Sequence, residues 1–349
     1  MPVFVEALGG QPLWARKQNT SAHGAGVQAI RIALLNNMPD PALEDTELQF
    51  FDLLDAASDD VPVVVKLYSL TGVPRTERGM RRLNSFYYGL DDLWDNPVDA
   101  LIMTGTEPQQ PSLRQEPYWG NLASVLDWAE RHTISTVLSC LAAHASVLHG
   151  DGIERNRLGD KRFGVFEFPT HGGHPLGRNM AGTIRFPHSR WNEVRADALQ
   201  SCGYTILTQS AESGVDCFVK MKKQSLFVHF QGHPEYQAHT LFKEYRRDIK
   251  RYLRRERETY PTAPIGYFGD EATNRLTDFR QKAMANRSED AMEAFPETFL
   301  TSSLQNGWRA SAVNVYKNWL GMVSEKKSEV FSYAPVRVRR RGNTLQWME

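Results

Sequence analysis

Thr133–Gly150 reads TISTVLSCLAAHASVLHG. A β-branched run ends at Ser139, Cys140 follows at once, and an Ala-rich segment continues to Gly150, so a strand gives way to a helix at the cysteine. Upstream, Ala29–Asn36 (AIRIALLN), Val63–Leu67, Asp99–Met103 (DALIM) and Ile134–Leu138 are short apolar runs of strand character. Helical spacing separates them: Leu48, Phe51 and Leu54 from about Thr46, with Asp45 as cap, and a second stretch over Leu122–Arg131. Strand and helix in alternation predict an α/β fold with a mostly parallel sheet, whose ligands gather at the carboxyl ends of the strands.

Downstream, Thr183–Phe186, Tyr204–Leu207, Cys217–Val219 and Leu226–Phe230 read as shorter strands. Thr240–Arg254 reads as a helix with Leu241, Tyr245, Ile249 and Leu253 on one stripe, and Trp308–Val323 as another. Residues 1–28 read as an irregular arm, 29–323 as the catalytic domain with an insertion at about 269–305, and 324–349 as a basic tail. The tail's Arg337, Arg339, Arg340 and Arg341 suit a solvated tail or subunit contact better than a nucleic-acid site.

Lysine plus arginine equals aspartate plus glutamate at 41 each, which gives no basic field for nucleic acid. No run is long and apolar enough for a membrane span, and the first twenty residues lack the pattern of a secretory signal. Cys140, Cys202 and Cys217 form an odd set without metal-ligand spacing, which predicts free thiols in a reducing, cytoplasmic setting and no metal.

At the strand-to-helix junction the helix dipole favours a negative sulfur on Cys140, and the backbone N–H groups that follow, beginning with Leu141, point where an oxyanion would form. The competing reading is a buried structural cysteine. Cys202 and Cys217 sit at no such junction and take the structural reading. In SLFVHFQGHPEY (Ser225–Tyr236) a strand ends and His233 follows, placed to reach a nucleophile on a neighbouring strand, with Glu235 two residues on to hold the imidazole in one tautomer. Cys140, His233 and Glu235 make a Cys-His-Glu constellation.

These two segments, with LLNNMP (Leu34–Pro39), MTGTEP (Met103–Pro108), PYW (Pro117–Trp119), FGVFEF (Phe163–Phe168), FPHSRW (Phe186–Trp191) and KEYRRD (Lys243–Asp248), resemble the homoserine O-succinyltransferase/O-acetyltransferase family of methionine biosynthesis. The resemblance runs in order over about Ala29–Tyr267 and again, weakly, over Trp308–Leu320. It implies a flavodoxin-like, mostly parallel sheet with helices on both faces, as in class I glutamine amidotransferases. It also implies acyl transfer from acyl-CoA, a co-substrate with no further cofactor, to an amino-acid hydroxyl in a homodimer. By the same resemblance Cys140 is the nucleophile, His233 the base and Glu235 its partner, while Arg247 grips the amino acid's carboxylate. Ser189 and Arg190 line the substrate site, Lys161 precedes the FGV-like turn, and Thr104 and Gly105 form the loop beside the nucleophile. Taken alone, Arg247, Arg190 and Lys161 read equally as solvated charges and Ser189 as a turn hydroxyl.

Three departures stand out. Where the family has one or two lysines after its LNxMP motif, this chain has Asp40 and Pro41 and is two residues longer. Leu141 and His144 replace the family's usual residues after the nucleophile. At the donor-selecting position, where glutamate goes with acetyl-CoA and glycine with succinyl-CoA, the TGTEPQQ loop puts Gln109, with Glu107 close by. The expected reaction is homoserine O-acylation through an acyl-cysteine, succinyl ahead of acetyl. O-acylation of L-serine or another amino alcohol, glutamine amide transfer, and a non-enzymatic binding protein on the same fold are the competitors.

Overall fold

The computed structural model describes residues 3–8, 12–15, 29–59, 61–170, 173–180 and 182–332. The centre of its sheet is built from β3 (Ile30–Leu35), β4 (Val63–Tyr68), β5 (Ala100–Met103) and β6 (Ser135–Ser139). At one end stand β1 (Val3–Glu6) and β2 (Pro12–Ala15), at the other β9 (Thr205–Ser210), β10 (Gly214–Lys222) and β11 (Ser225–Phe230). The order is β2-β1-β4-β3-β5-β6-β11-β10-β9, parallel from β1 to β11 and antiparallel at both ends. Every residue of β5 and β6 is buried, as a strand covered on both faces requires.

Because side chains alternate across a strand, each strand feeds two cores. Ile32 and Leu34 of β3 enter one core with Phe50 and Phe51 of α1 (Asp40–Ala57). Ala33 and Leu35 enter the other with Val125 and Leu126 of α4 (Trp119–His132) and Ala142 and Ala145 of α5 (Leu141–Asp151). Short helices α2 (Glu77–Phe86) and α3 (Leu90–Asp95) connect β4 to β5, and α6 (Ala196–Ser201) precedes β9. Outside the main sheet, β7 (Asn156–Pro169) and β8 (Thr183–Glu193) form an antiparallel ribbon. The mostly parallel α/β architecture read from the sequence is the one observed.

Several boundaries differ from the sequence reading. The arm is not wholly irregular: Val3–Glu6 pairs in parallel with Val63–Lys66, because its apolar Val3 and Val5 extend the first core. Helix α1 begins at Asp40, not near Thr46, since Pro39 at the N-cap and Pro41 in the first turn sit where a missing N–H costs nothing. The polar stretch at 269–305 is mostly helical, with α8 (Asp270–Ala285) and α9 (Glu297–Ser303) lending Leu276, Phe279 and Leu300 to the first core beside α7 (Thr240–Leu253). Helix α10 (Arg309–Ser332) runs past the expected start of a tail. There Lys327 Nζ donates to Asp99 Oδ2 and to the Ala29 carbonyl, both at 2.7 Å. The four arginines from Arg337 to Arg341 lie outside the described residues.

Trp319 of α10 is buried, and its indole N–H donates to Ser135 Oγ of β6 at 2.9 Å. Trp319→Ala is expected to cost about 3–5 kcal/mol of unfolding free energy, read as a fall in the denaturant midpoint. An unmoved midpoint would mean that α10 is dispensable to the core.

Candidate active site

The site starts from a register. Strands β6 and β11 pair in parallel with Ser139 level with Phe230, and the Cys140 N–H extends the ladder by donating to the Phe230 carbonyl at 2.7 Å. Cys140 therefore leaves one strand beside the point where Gln231–His233 leaves its neighbour. Cys140 is the N-cap of α5 with φ 51° and ψ −109°, a sparsely populated conformation for a residue with a side chain, costing about 1–3 kcal/mol. Its side chain is half-buried, as a reachable nucleophile needs, whereas Cys217 is buried in β10; all three thiols are free.

His233 donates its backbone N–H to the Pro187 carbonyl at 2.8 Å, and its Nδ1 lies 2.9 Å from Glu235 Oε1, which leaves Nε2 for the sulfur. The same Glu235 oxygen accepts from Ser139 Oγ at 2.9 Å, so the carboxylate is tied to the strand that carries the cysteine. Burial pushes the His233 pKa down, but the charges of Cys140 and Glu235 and their hydrogen bonds outweigh it and hold the ring well above its ordinary value. The Tyr236 ring stacks on the imidazole with centroids 4.1 Å apart.

A buried polar frame sets the approach of this turn. Asp216 accepts from the Gly232 N–H at 3.2 Å through Oδ1, which also lies 3.2 Å from His188 Nε2. Arg190 Nε donates to His188 Nδ1 at 3.2 Å, and its other nitrogens donate to the carbonyls of Asn192 and Ser213. Arg190, expected to line the substrate site, is thus buried with its guanidinium taken up by the frame. His144 performs a like service. Its Nε2 lies 2.9 Å from Gln231 Oε1, and burial lowers its pKa to about 3, which keeps it neutral.

On the nucleophile's other side, Thr104 Oγ1 accepts from the Asn37 N–H at 2.8 Å, and Asn37 Nδ2 donates to the Thr104 carbonyl. The next residue has to be glycine. A Cβ on Gly105 would lie 2.7 Å from Leu141 Cβ and 2.9 Å from its backbone nitrogen, so Gly105 presses on the amide that follows the cysteine. Asp40, at the place of the family's lysines, is no open gap. It accepts from Thr76 at 2.6 Å and pairs with Arg75, whose Nη1 also donates to the Met38 carbonyl.

The remaining expected residues gather around Glu244, which sequence reasoning passed over. Ser189 Oγ and Tyr236 OH donate to its two oxygens at 2.5 and 2.9 Å, and Lys161 Nζ stands 3.3 Å away. Burial would raise the Glu244 pKa, yet Lys161, Ser189, Arg247 and His233 hold it lowered, as a carboxylate. Arg247, one helical turn on in α7, bonds Asp248 at 3.0 Å and remains more than half exposed. Its i,i+3 spacing from Glu244 was the signal available in KEYRRD. Glu107 lies within the electrostatic field of Arg247, while Gln109 is exposed and its N–H donates to buried Glu116 at 2.7 Å.

The profile of the homoserine O-succinyltransferase family matches residues 9–329. The chain belongs to that family. A homoserine O-succinyltransferase of Rhodopseudomonas palustris is 42% identical over 296 residues, covering 85% of this chain and 89% of the relative. One from Methylorubrum extorquens is 42% identical over 85% of this chain and 88% of its own, and one from Bradyrhizobium japonicum 41% over 85% and 90%. Among solved structures, a glutamine amidotransferase from Methylobacillus flagellatus overlays 93% of this chain and 100% of its own with a TM-score of 0.47 at 13% identity. No helix among the described residues is long and apolar enough to cross a membrane.

In this family member the raised His233 pKa has a readable consequence. The folded value stands above the unfolded value of about 6.5, so the stabilisation it brings is complete below that pH and is lost as pH climbs through the folded value. Cys140→Ser removes the sulfur's negative charge, which favours the protonated ring. Its imidazole titration, followed by proton NMR of the His233 ring, is expected at lower pH than in the parent protein. An unmoved titration would mean that sulfur and imidazole are not coupled.

Proposed function

We propose that the chain transfers the succinyl group of succinyl-CoA to the hydroxyl of L-homoserine through an acyl-Cys140 intermediate. Membership of the family makes it an acyltransferase of amino-acid biosynthesis. What carries the mechanism is the level ending of β6 and β11, which brings a half-buried cysteine beside a histidine already held by a carboxylate. The proposal keeps the reaction in the cytoplasm and the protein a homodimer.

In the first half-reaction the Cys140 sulfur attacks the thioester carbonyl. The oxyanion is received by the Leu141 N–H, one of the first-turn donors that a helix leaves without an internal partner, and by the Gly105 backbone against it. The carbon–sulfur bond to CoA breaks, and the His233 imidazolium gives its proton to the departing thiolate. In the second, the homoserine hydroxyl attacks the acyl-cysteine while His233, held by Glu235, removes its proton; Cys140 then leaves as thiolate. General-base help of this kind is worth about 10²–10⁴-fold.

The amino acid is a zwitterion, and α7 offers a matching pair one turn apart. The half-exposed guanidinium of Arg247 suits the carboxylate, and Glu244, kept ionised, suits the ammonium group. Ser189, Lys161 and Tyr236 hold Glu244 in place. Tyr236 also stacks on His233, so the acceptor's grip and the base are fastened to each other.

Two measurements test the reading. After mixing with succinyl-CoA alone, intact mass should show one succinyl adduct on the parent protein and none on Cys140→Ala; a full burst of CoA from that variant would remove the cysteine from the mechanism. Steady-state CoA release across homoserine and serine should favour homoserine. Arg247→Ala should raise the homoserine KM by about 10- to 100-fold, while the yield of the succinyl adduct is kept. Loss of the adduct itself would give Arg247 a different task.

A further inference from the structure

Between α5 and β7 the chain lines a polar cavity of about 600 Å³. Glu154, Arg155, Arg157 and Asn192 line it together with Pro108 and Gln110 of the loop that follows Gly105. That loop leaves Gly105 against Leu141, and it is held firmly: Glu116, itself buried, accepts from the backbone N–H groups of both Gln109 and Gln110 at 2.7 Å. The cavity therefore has an anchored loop in its lining.

The arginines near this site differ in how their charge is used. Arg190 is bonded to a histidine and two carbonyls, Arg157 lies over the Trp191 ring, and Arg247 is bonded to Asp248. Arg155 is half-buried and makes no hydrogen bond or ion pair among the described residues. Burial lowers its pKa, opposed by the charges of Tyr118, Cys140 and Glu116, so it stands within the electrostatic field of the reactive sulfur. Glu116 does not neutralise it by contact: it forms no ion pair with Arg155 among the described residues, and its Oε1 accepts from the two loop amides. A half-desolvated guanidinium without a partner is an incomplete arrangement that an anion would complete.

Resting on the acyl transfer proposed above, we propose that Arg155 receives the distal carboxylate of the succinyl group and so selects succinyl-CoA over acetyl-CoA. The two donors differ only by a methylene and a carboxylate, so discrimination has to come from a group that meets that carboxylate. The planar guanidinium fork matches it in shape and charge. The phosphates of CoA are the other anions the substrate carries, but a pantetheine arm separates them from the thioester, whereas Arg155 is near the sulfur that the acyl group joins. Selectivity then rests on Arg155 rather than on Gln109, whose residue type fits neither of the family's patterns.

The test compares kcat/KM for succinyl-CoA and acetyl-CoA, with homoserine as acceptor, in the parent, Arg155→Met and Arg155→Lys, together with binding of free CoA by calorimetry. Arg155→Met should lower the succinyl-to-acetyl ratio by about 10- to 100-fold, Arg155→Lys should restore part of it, and free CoA should bind all three alike. An unchanged ratio overturns the proposal, as does an equal loss with both donors accompanied by weaker CoA binding, which would make Arg155 a phosphate ligand. A parent protein that releases no CoA from succinyl-CoA and homoserine would defeat the acyl-transfer reading itself, a result distinct from either of these.

Discussion

Two parallel strands that finish level with each other govern most of this molecule's chemistry. The ladder between β6 and β11 does not stop at Ser139 and Phe230; its last hydrogen bond is made by the cysteine's own N–H. That bond fixes the backbone at a conformation with positive φ, and the helix that starts there can only point one way. On the neighbouring strand the chain turns within three residues to His233, held by the Pro187 carbonyl from the β7–β8 ribbon. The positions of sulfur and imidazole are therefore consequences of sheet pairing, which is far stiffer than any loop-to-loop contact.

This also explains which parts were legible beforehand. The strand-to-helix junction at Cys140 and the strand-to-turn junction at His233 are visible because apolar runs end abruptly in polar or small residues. Strand pairing between distant segments then follows from the parallel-sheet expectation. The ribbon strand β7 was not legible: its first half is exposed and polar, and Gly164 at φ 150° interrupts the alternation. A Cβ there would meet the Ile265 carbonyl oxygen at 2.3 Å, so that glycine lets Ile265 pair in parallel alongside β7, a demand no local pattern announces. The start of α1 was misplaced because the two prolines read as a turn, although both are at home at a helix entrance.

The residues that sequence reasoning misjudged are those whose partners come from far along the chain. Arg190 reads as a free cation beside a motif, yet Ser213 and His188 absorb it. Asp40 reads as the loss of a lysine, yet its carboxylate binds Arg75 and caps the approach to α2, so the LNNMP loop is braced by an ion pair of its own. Glu244 looks like an ordinary helix-surface acid until Lys161 of β7, Ser189 of β8 and Tyr236 of the turn after β11 converge on it. In each case the local spacing is correct and uninformative, and the tertiary partner assigns the job.

Helix α10 spans the first core from the buried indole of Trp308 just before it, bonded to the Tyr236 carbonyl, to Lys327 on Asp99 at the entry to β5. A ribosome emits this chain from its amino end, so Ser135 of β6 emerges well before Trp319, and the part of the first core that α10 closes stays open until that helix follows. That part of the sheet's apolar side waits for a partner 184 residues further along the chain. A polypeptide built this way depends on whatever shields such surfaces in the cell during that interval.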